Sequence, residues 1–171
     1  MPLPEPWLRG PVPGIPALLQ PVAHALQMSM EDCGKAAADL DTQDLWREPG
    51  GAASVGFHLR HLAGSTDRLF TYARGDALTA AQKAALLAER APGETPPSAA
   101  DLLDAWRTTV EWALAQLATT AEDTLLDARG VGRAQLPSTV LGLLFHAAEH
   151  ASRHTGQVVT TAKVVRAWPA V

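Results

Sequence analysis

The stretch His146-Ala147-Ala148-Glu149-His150-Ala151-Ser152-Arg153-His154-Thr155-Gly156-Gln157 decides how this chain is read. Half of the six histidines fall within its first nine residues, spaced four apart. An apolar lead, Val140-Leu141-Gly142-Leu143-Leu144-Phe145, runs into it, and Val158, Val159, Ala162, Val164 and Val165 follow. No proline interrupts the run between Pro137 and Pro169, so the spacing predicts one long helix with Ser138 as its N-cap.

Residues four apart lie on one helix face, about 6 Å from each other. Two imidazoles so placed can reach one metal ion at about 2.0–2.1 Å. Three in a row cannot, because His146 and His154 are about 12 Å apart along the axis and about 80° apart around it. The pair is therefore His146 with His150 or His150 with His154, and His150 belongs to both. The stretch also matches H-x-x-E-H, in which two histidines bind zinc and the glutamate is the base of a peptidase. That chemistry needs an acidic third ligand farther along, and no Asp or Glu follows Ala151. The peptidase reading is set aside.

Outward from this helix, the chain reads as a bundle. At 171 residues it is long enough for one domain with a real core. Abundant alanine and few aromatics lean helical. A formal charge of −4 without a basic run argues against nucleic acid as a partner. No apolar run approaches the roughly 18 residues of a membrane span, so no membrane is expected as a partner. The N-terminus lacks a basic, apolar leader, and the single cysteine, Cys33, suits a reducing compartment. A cytoplasmic protein is expected, with Cys33 as core packing.

Seven of thirteen prolines fall in the first 21 residues, so residues 1–20 read as a proline-rich arm, with Trp7, lying on the domain or on a partner. A homodimer is one form that partner would take. The domain proper is expected over residues 21–171. Pro21 suits the first turn of helix one, whose seam is Leu26, Met30, Cys33, Ala37 and Leu40. His24 reads as an ordinary, partly exposed histidine, with a contact to the site as the alternative. Ser54 caps helix two, which carries Val55, Leu59, Leu62, Leu69 and Ala73 and ends at Gly75. Thr79 to Gln82 fits a capping box opening a short helix. Ser98 opens helix three, with Leu103, Trp106, Val110, Ala113 and Leu117. Thr119 to Pro137 reads as a long connection with a brief extended piece at residues 134–136.

The result is all-α: a four-helix bundle with one extra short helix. Five of the six histidines lie on two of its helices, because His58 and His61 belong to helix two. Two inward-facing helices can gather such clusters around one ion. Three imidazoles with an open fourth position form a catalytic type of zinc site, and imidazole suits zinc first and nickel second. A di-iron centre of the ferritin type is not expected, for want of carboxylates in the cluster, and Glu149 points about 100° away from His150 on the helix. His58 lies nearer the apolar stripe and His61 at its edge with Ser65 and Arg68, so periodicity leaves the helix-two ligand open.

The blocks Ser54-Val-Gly-Phe-His58-Leu-Arg-His61-Leu-Ala-Gly-Ser-Thr-Asp67-Arg68-Leu69 and Phe145 to Gln157 resemble the DinB/YfiT family. The similarity in helix order extends to nearly everything after Pro21. It implies an up-down-down-up bundle with a divalent metal held by His61, His150 and His154, while His58 and His146 line the pocket or pack. Many members read His-His-Arg-Gly-Gln where this chain has Arg153-His154-Thr-Gly-Gln157, so the presumed ligand stays and the basic residue after it does not. Family activities include transfer of a low-molecular-weight thiol to an electrophile, and hydrolysis. The resemblance therefore implies a metal-dependent thiol S-transferase or hydrolase in stress or detoxification chemistry, with a small-molecule substrate. Arg153 and Gln157 are candidates for orienting it. The alternative is a non-catalytic bundle that binds a metal or small ligand, and a third reading has histidines that are merely buried.

Overall fold

Proline and glycine punctuation leaves four runs long enough for substantial helices, and each forms one. The computed structural model describes residues 3–167; Met1, Pro2 and the expected stop at Pro169 lie outside the described residues. In chain order come α1 (Gln20–Ala37), α2 (Thr42–Leu45), α3 (Val55–Ala73), α4 (Ala80–Ala88), α5 (Ala99–Thr119), β1 (Ala128–Val131), β2 (Leu136–Thr139) and α6 (Val140–Ala167). The fold is mostly helical, with one small antiparallel sheet in which Ala128 pairs with Thr139 and Val131 with Leu136.

The expected caps explain the starts of α3, α4 and α5. Ser54 accepts from the Phe57 amide, and full capping boxes join Thr79 to Gln82 and Ser98 to Asp101. Each such cap satisfies an amide that the helix cannot, for about 1 kcal/mol. Gly75 takes φ of 86° just beyond α3, the left-handed geometry that a side chain resists. The sequence misplaces the start of α6. Ser138 sits in β2, and Thr139 Oγ1 accepts from the Gly142 amide at 3.0 Å. The expected coil before it is a hairpin, and residues 134 and 135 form its turn rather than an extended piece.

α6 packs against α1 and α3, and α5 packs against the same two helices. Leu26, Leu59, Leu62, Phe70, Trp106, Val110, Leu117, Leu144 and Val158 are fully buried among them. Each such side chain contributes roughly 1.5–3 kcal/mol by leaving water. Specific contacts fix how the helices lie. Ser29 Oγ on α1 meets Thr155 Oγ1 on α6 at 2.5 Å, and Arg166 reaches the Ala36 carbonyl. Gln116 on α5 donates to the Phe70 carbonyl of α3 at 3.1 Å. Cys33 is buried in this core beside Thr155, and burial pushes its thiol up to about 11, too high for a nucleophile at neutral pH.

Before α1, the chain folds back on that helix. Arg9 makes two bonds to Glu31, Gln20 ties the Val12 and Ile15 backbone, and His24 Nε2 meets the Gly10 carbonyl. His24 is thereby committed outside the histidine cluster. Trp7 remains 57% exposed.

Candidate metal centre

Helical spacing alone carries three histidines up one face of α6, and the packing of α3 across that face supplies two more. His61 Nε2 lies 2.9 Å from His150 Nε2, and His58 Nδ1 lies 3.0 Å from His154 Nδ1. The His150 and His154 rings are 4.5 Å apart at their centroids, and those of His61 and His154 4.6 Å. His61, His150 and His154 each offer one ring nitrogen, and these three atoms lie within 4.8 Å of one another. Around a tetrahedral ion bonded at 2.0–2.1 Å, neighbouring ligand atoms would stand about 3.3 Å apart. The donor set therefore fits a divalent ion with small adjustments of the rings.

The remaining sequence candidates take other places. His58 is only 6% exposed, so periodicity was right to turn it inward, but it buttresses His154 rather than joining the trio. His146 is exposed, its ring 5.5 Å from that of His150 and its Nδ1 3.3 Å from Glu149. Arg153 pairs with Glu149 on the surface, and Gln157 is exposed. Of the two pairs that the spacing allowed, the structure brings His150 and His154 into the trio.

Electrostatics keep the cluster ready for a cation. Burial first, and neighbouring imidazoles next, hold His150 below the ordinary histidine range and His154 down to about 3. Burial, then the neighbouring His61, lowers His58 to about 4. Neutral imidazole is the ligating form.

One partner of the trio was not legible in the sequence. Glu89, at the end of α4 and 4% exposed, places Oε2 2.7 Å from His61 Nδ1. Its other oxygen accepts from Arg68 Nη1 at 2.6 Å, and Arg68 is itself only 9% exposed. Burial works to raise the Glu89 carboxyl, but the bonds from His61 and Arg68 outweigh it and leave it below the usual carboxylate range. Gly64, one turn beyond His61, makes room for the pair. A Cβ there would stand 2.6 Å from Glu89 Oε1 and 2.8 Å from Arg68 Nη1. That mid-helix glycine was the available signal, because a glycine inside a helical pattern often marks a close approach. Phe57 stacks on His61 from the previous turn, and the Arg90 guanidinium lies over Phe57.

A helical bundle gathering three imidazoles from two helices is a scaffold that could hold a metal ion. The DinB superfamily matches residues 25–158, and the chain belongs to it. Two solved structures share the fold. A conserved protein from Enterococcus faecalis is 19% identical with a TM-score of 0.67, covering 88% of this chain and 98% of its own. A DinB-like protein from Bacillus cereus is 18% identical with a TM-score of 0.58, covering 86% of this chain and 95% of its own. Among curated proteins none matches.

Proposed function

We propose that this protein is a metal-dependent enzyme in which His61, His150 and His154 hold one divalent ion, zinc first and nickel second. The observation that carries this reading is the convergence of three histidine ring nitrogens within 4.8 Å, drawn from helices that meet only in the folded chain. When bound, such an ion supplies Lewis acidity, lowering the pKa of a thiol or water at its open position. The chain's own residues do the rest. The buried surroundings of His150 and His154 keep both rings unprotonated, and His58 holds the His154 ring in place. Arg90 and Phe57 beside His61, with exposed His146, Arg153 and Gln157 along α6, offer polar and aromatic contacts for a small electrophile or thiol.

The reaction class is thiol S-transfer to an electrophile, or hydrolysis if water replaces the thiol. The cell setting proposed is the cytoplasm, which suits a chain with one buried cysteine. The same reading takes the long helices as an up-down-down-up bundle, in keeping with the Ser29–Thr155 and Phe70–Gln116 contacts. It takes residues 1–20 as an arm on a domain spanning 21–171, with exposed Leu3, Trp7 and Leu8 as the surface for a homodimer.

The test is elemental analysis of the untagged protein beside a His150→Ala variant. The expected result is about one zinc or nickel per chain, lost in the variant. A wild type that takes up neither metal after reconstitution would overturn the proposal. A metal-loaded protein is then screened with thiols and electrophiles, where turnover separates an enzyme from a passive binder.

A further inference from the structure

Resting on the metal reading above, we propose that Glu89 is a positioning residue that sets the tautomer of His61, with Arg68 holding Glu89 to that task. The argument is one of donors and acceptors. An ionised carboxylate only accepts hydrogen bonds, so His61 Nδ1, 2.7 Å from Glu89 Oε2, carries the proton. Its Nε2 then has a free lone pair, and Nε2 is the atom that faces His150 across 2.9 Å. Neutral imidazole can ligate only through the unprotonated nitrogen, so the bond on the far side of the ring decides whether His61 is a ligand at all.

Arg68 fixes the polarity of this relay. Its guanidinium donates and cannot accept, so Glu89 Oε1 must face it as an acceptor. The relay runs Arg68 to Glu89 to His61 across helices α3 and α4, and it lies in the space left by the absent Gly64 side chain. Arg60 clips the same segment by donating to the Ala88 and Ala91 carbonyls, which fixes the backbone on both sides of Glu89. Nothing comparable lies behind His150, whose Nδ1 is buried with no hydrogen-bond partner among the described residues. The site thus has one imidazole whose tautomer the protein dictates.

Glu89→Gln tests this with almost no change of shape. Its amide cannot satisfy both neighbours. With the amide oxygen on Arg68, the NH2 meets His61 Nδ1 and drives the proton to Nε2. With the oxygen on His61, the NH2 confronts the Arg68 guanidinium. The primary measurement is nitrogen-15 NMR of the histidine rings in the metal-free full-length chain, which reports which nitrogen is protonated. The wild type should show His61 protonated at Nδ1, and Glu89→Gln should show a shift toward Nε2. Zinc affinity, measured by chelator competition, should fall about 10- to 100-fold in the variant. If Glu89→Gln does not fold, Arg68→Leu combined with Glu89→Leu removes acceptor and buried cation together, and the same loss of the Nδ1–H tautomer and of affinity is expected. Wild-type His61 protonated at Nε2, or an unchanged tautomer and affinity in either variant, would overturn the inference. A wild type that binds no zinc yet loses its Nδ1–H tautomer in the variant would support this inference while sinking the metal reading.

Discussion

The two halves of the histidine cluster are built on different principles. On α6, His150 and His154 face the site because they are four residues apart, and one helix turn supplies their geometry. Their other nitrogens are thinly supported: His154 Nδ1 meets only another imidazole, and His150 Nδ1 meets nothing among the described residues. On α3, a single histidine enters the trio, yet it is backed by a buried carboxylate, a buried guanidinium and a glycine that makes space for both. Where local spacing supplies two donors in register, little else is needed. Where it supplies one, the rest of the fold must aim it.

The sharpest way to break that contrast is to cut the relay on the α3 side. Arg68→Met leaves the Glu89 carboxylate buried without its cation, and removing one partner of a buried pair costs about 3–5 kcal/mol. Urea unfolding at pH 8 should show a loss of that order. A loss under about 1 kcal/mol would mean that water already solvates the carboxylate.

Acid should loosen the packed imidazoles next, His58 on α3 as well as His150 and His154 on α6, in a graded way. His58, His150 and His154 have folded-state values depressed below 6.5, to about 4 for His58 and about 3 for His154. Between those values and 6.5 the unfolded chain binds more protons than the folded one, so stability falls as pH falls. The metal-free protein should hold its urea midpoint above pH 7 and lose it progressively from about 6.5 toward 3. Glu89, also depressed, adds to the loss at the acid end. A midpoint that stays level from pH 7 to 4.5 would show that these imidazoles are already solvated.

The smallest effect belongs to His146, which shares the α6 spacing but stands in solvent. His146→Ala should change stability by no more than about 0.5 kcal/mol and leave metal stoichiometry alone. Loss of the metal in that variant would move the pair on α6 one turn back and redraw the trio.

How much of this was readable beforehand follows the same division. The periodicities of α1, α3, α5 and α6 and the caps at Ser54, Thr79 and Ser98 were legible because they are local. So was the pairing of His150 with one neighbour, although the choice of His154 and of His61 rested on family likeness. Glu89 was illegible: it stands 28 residues from His61, in an exposed helix whose pattern gives no hint that its end turns inward. Of the hairpin before α6 the sequence shows only a brief extended piece at residues 134–136, of which Leu136 lies in β2, because four-residue strands offer too few alternations for periodicity to register. The true cap, Thr139, stood one residue beyond the chosen Ser138, within the ordinary uncertainty of helix ends.

α4 has no buried residue of its own and is held to α3 by polar bonds, from Gln82 to Asp67 and Thr71 at one end and from Arg60 to Ala88 and Ala91 at the other. Segments of that kind open locally long before a protein unfolds globally. Glu89 belongs to this segment, so an opening of α4 that broke the Arg60 clips would withdraw the acceptor from behind His61. With an ion in the trio as proposed, amide exchange along residues 80–90 should keep the same clock as its release.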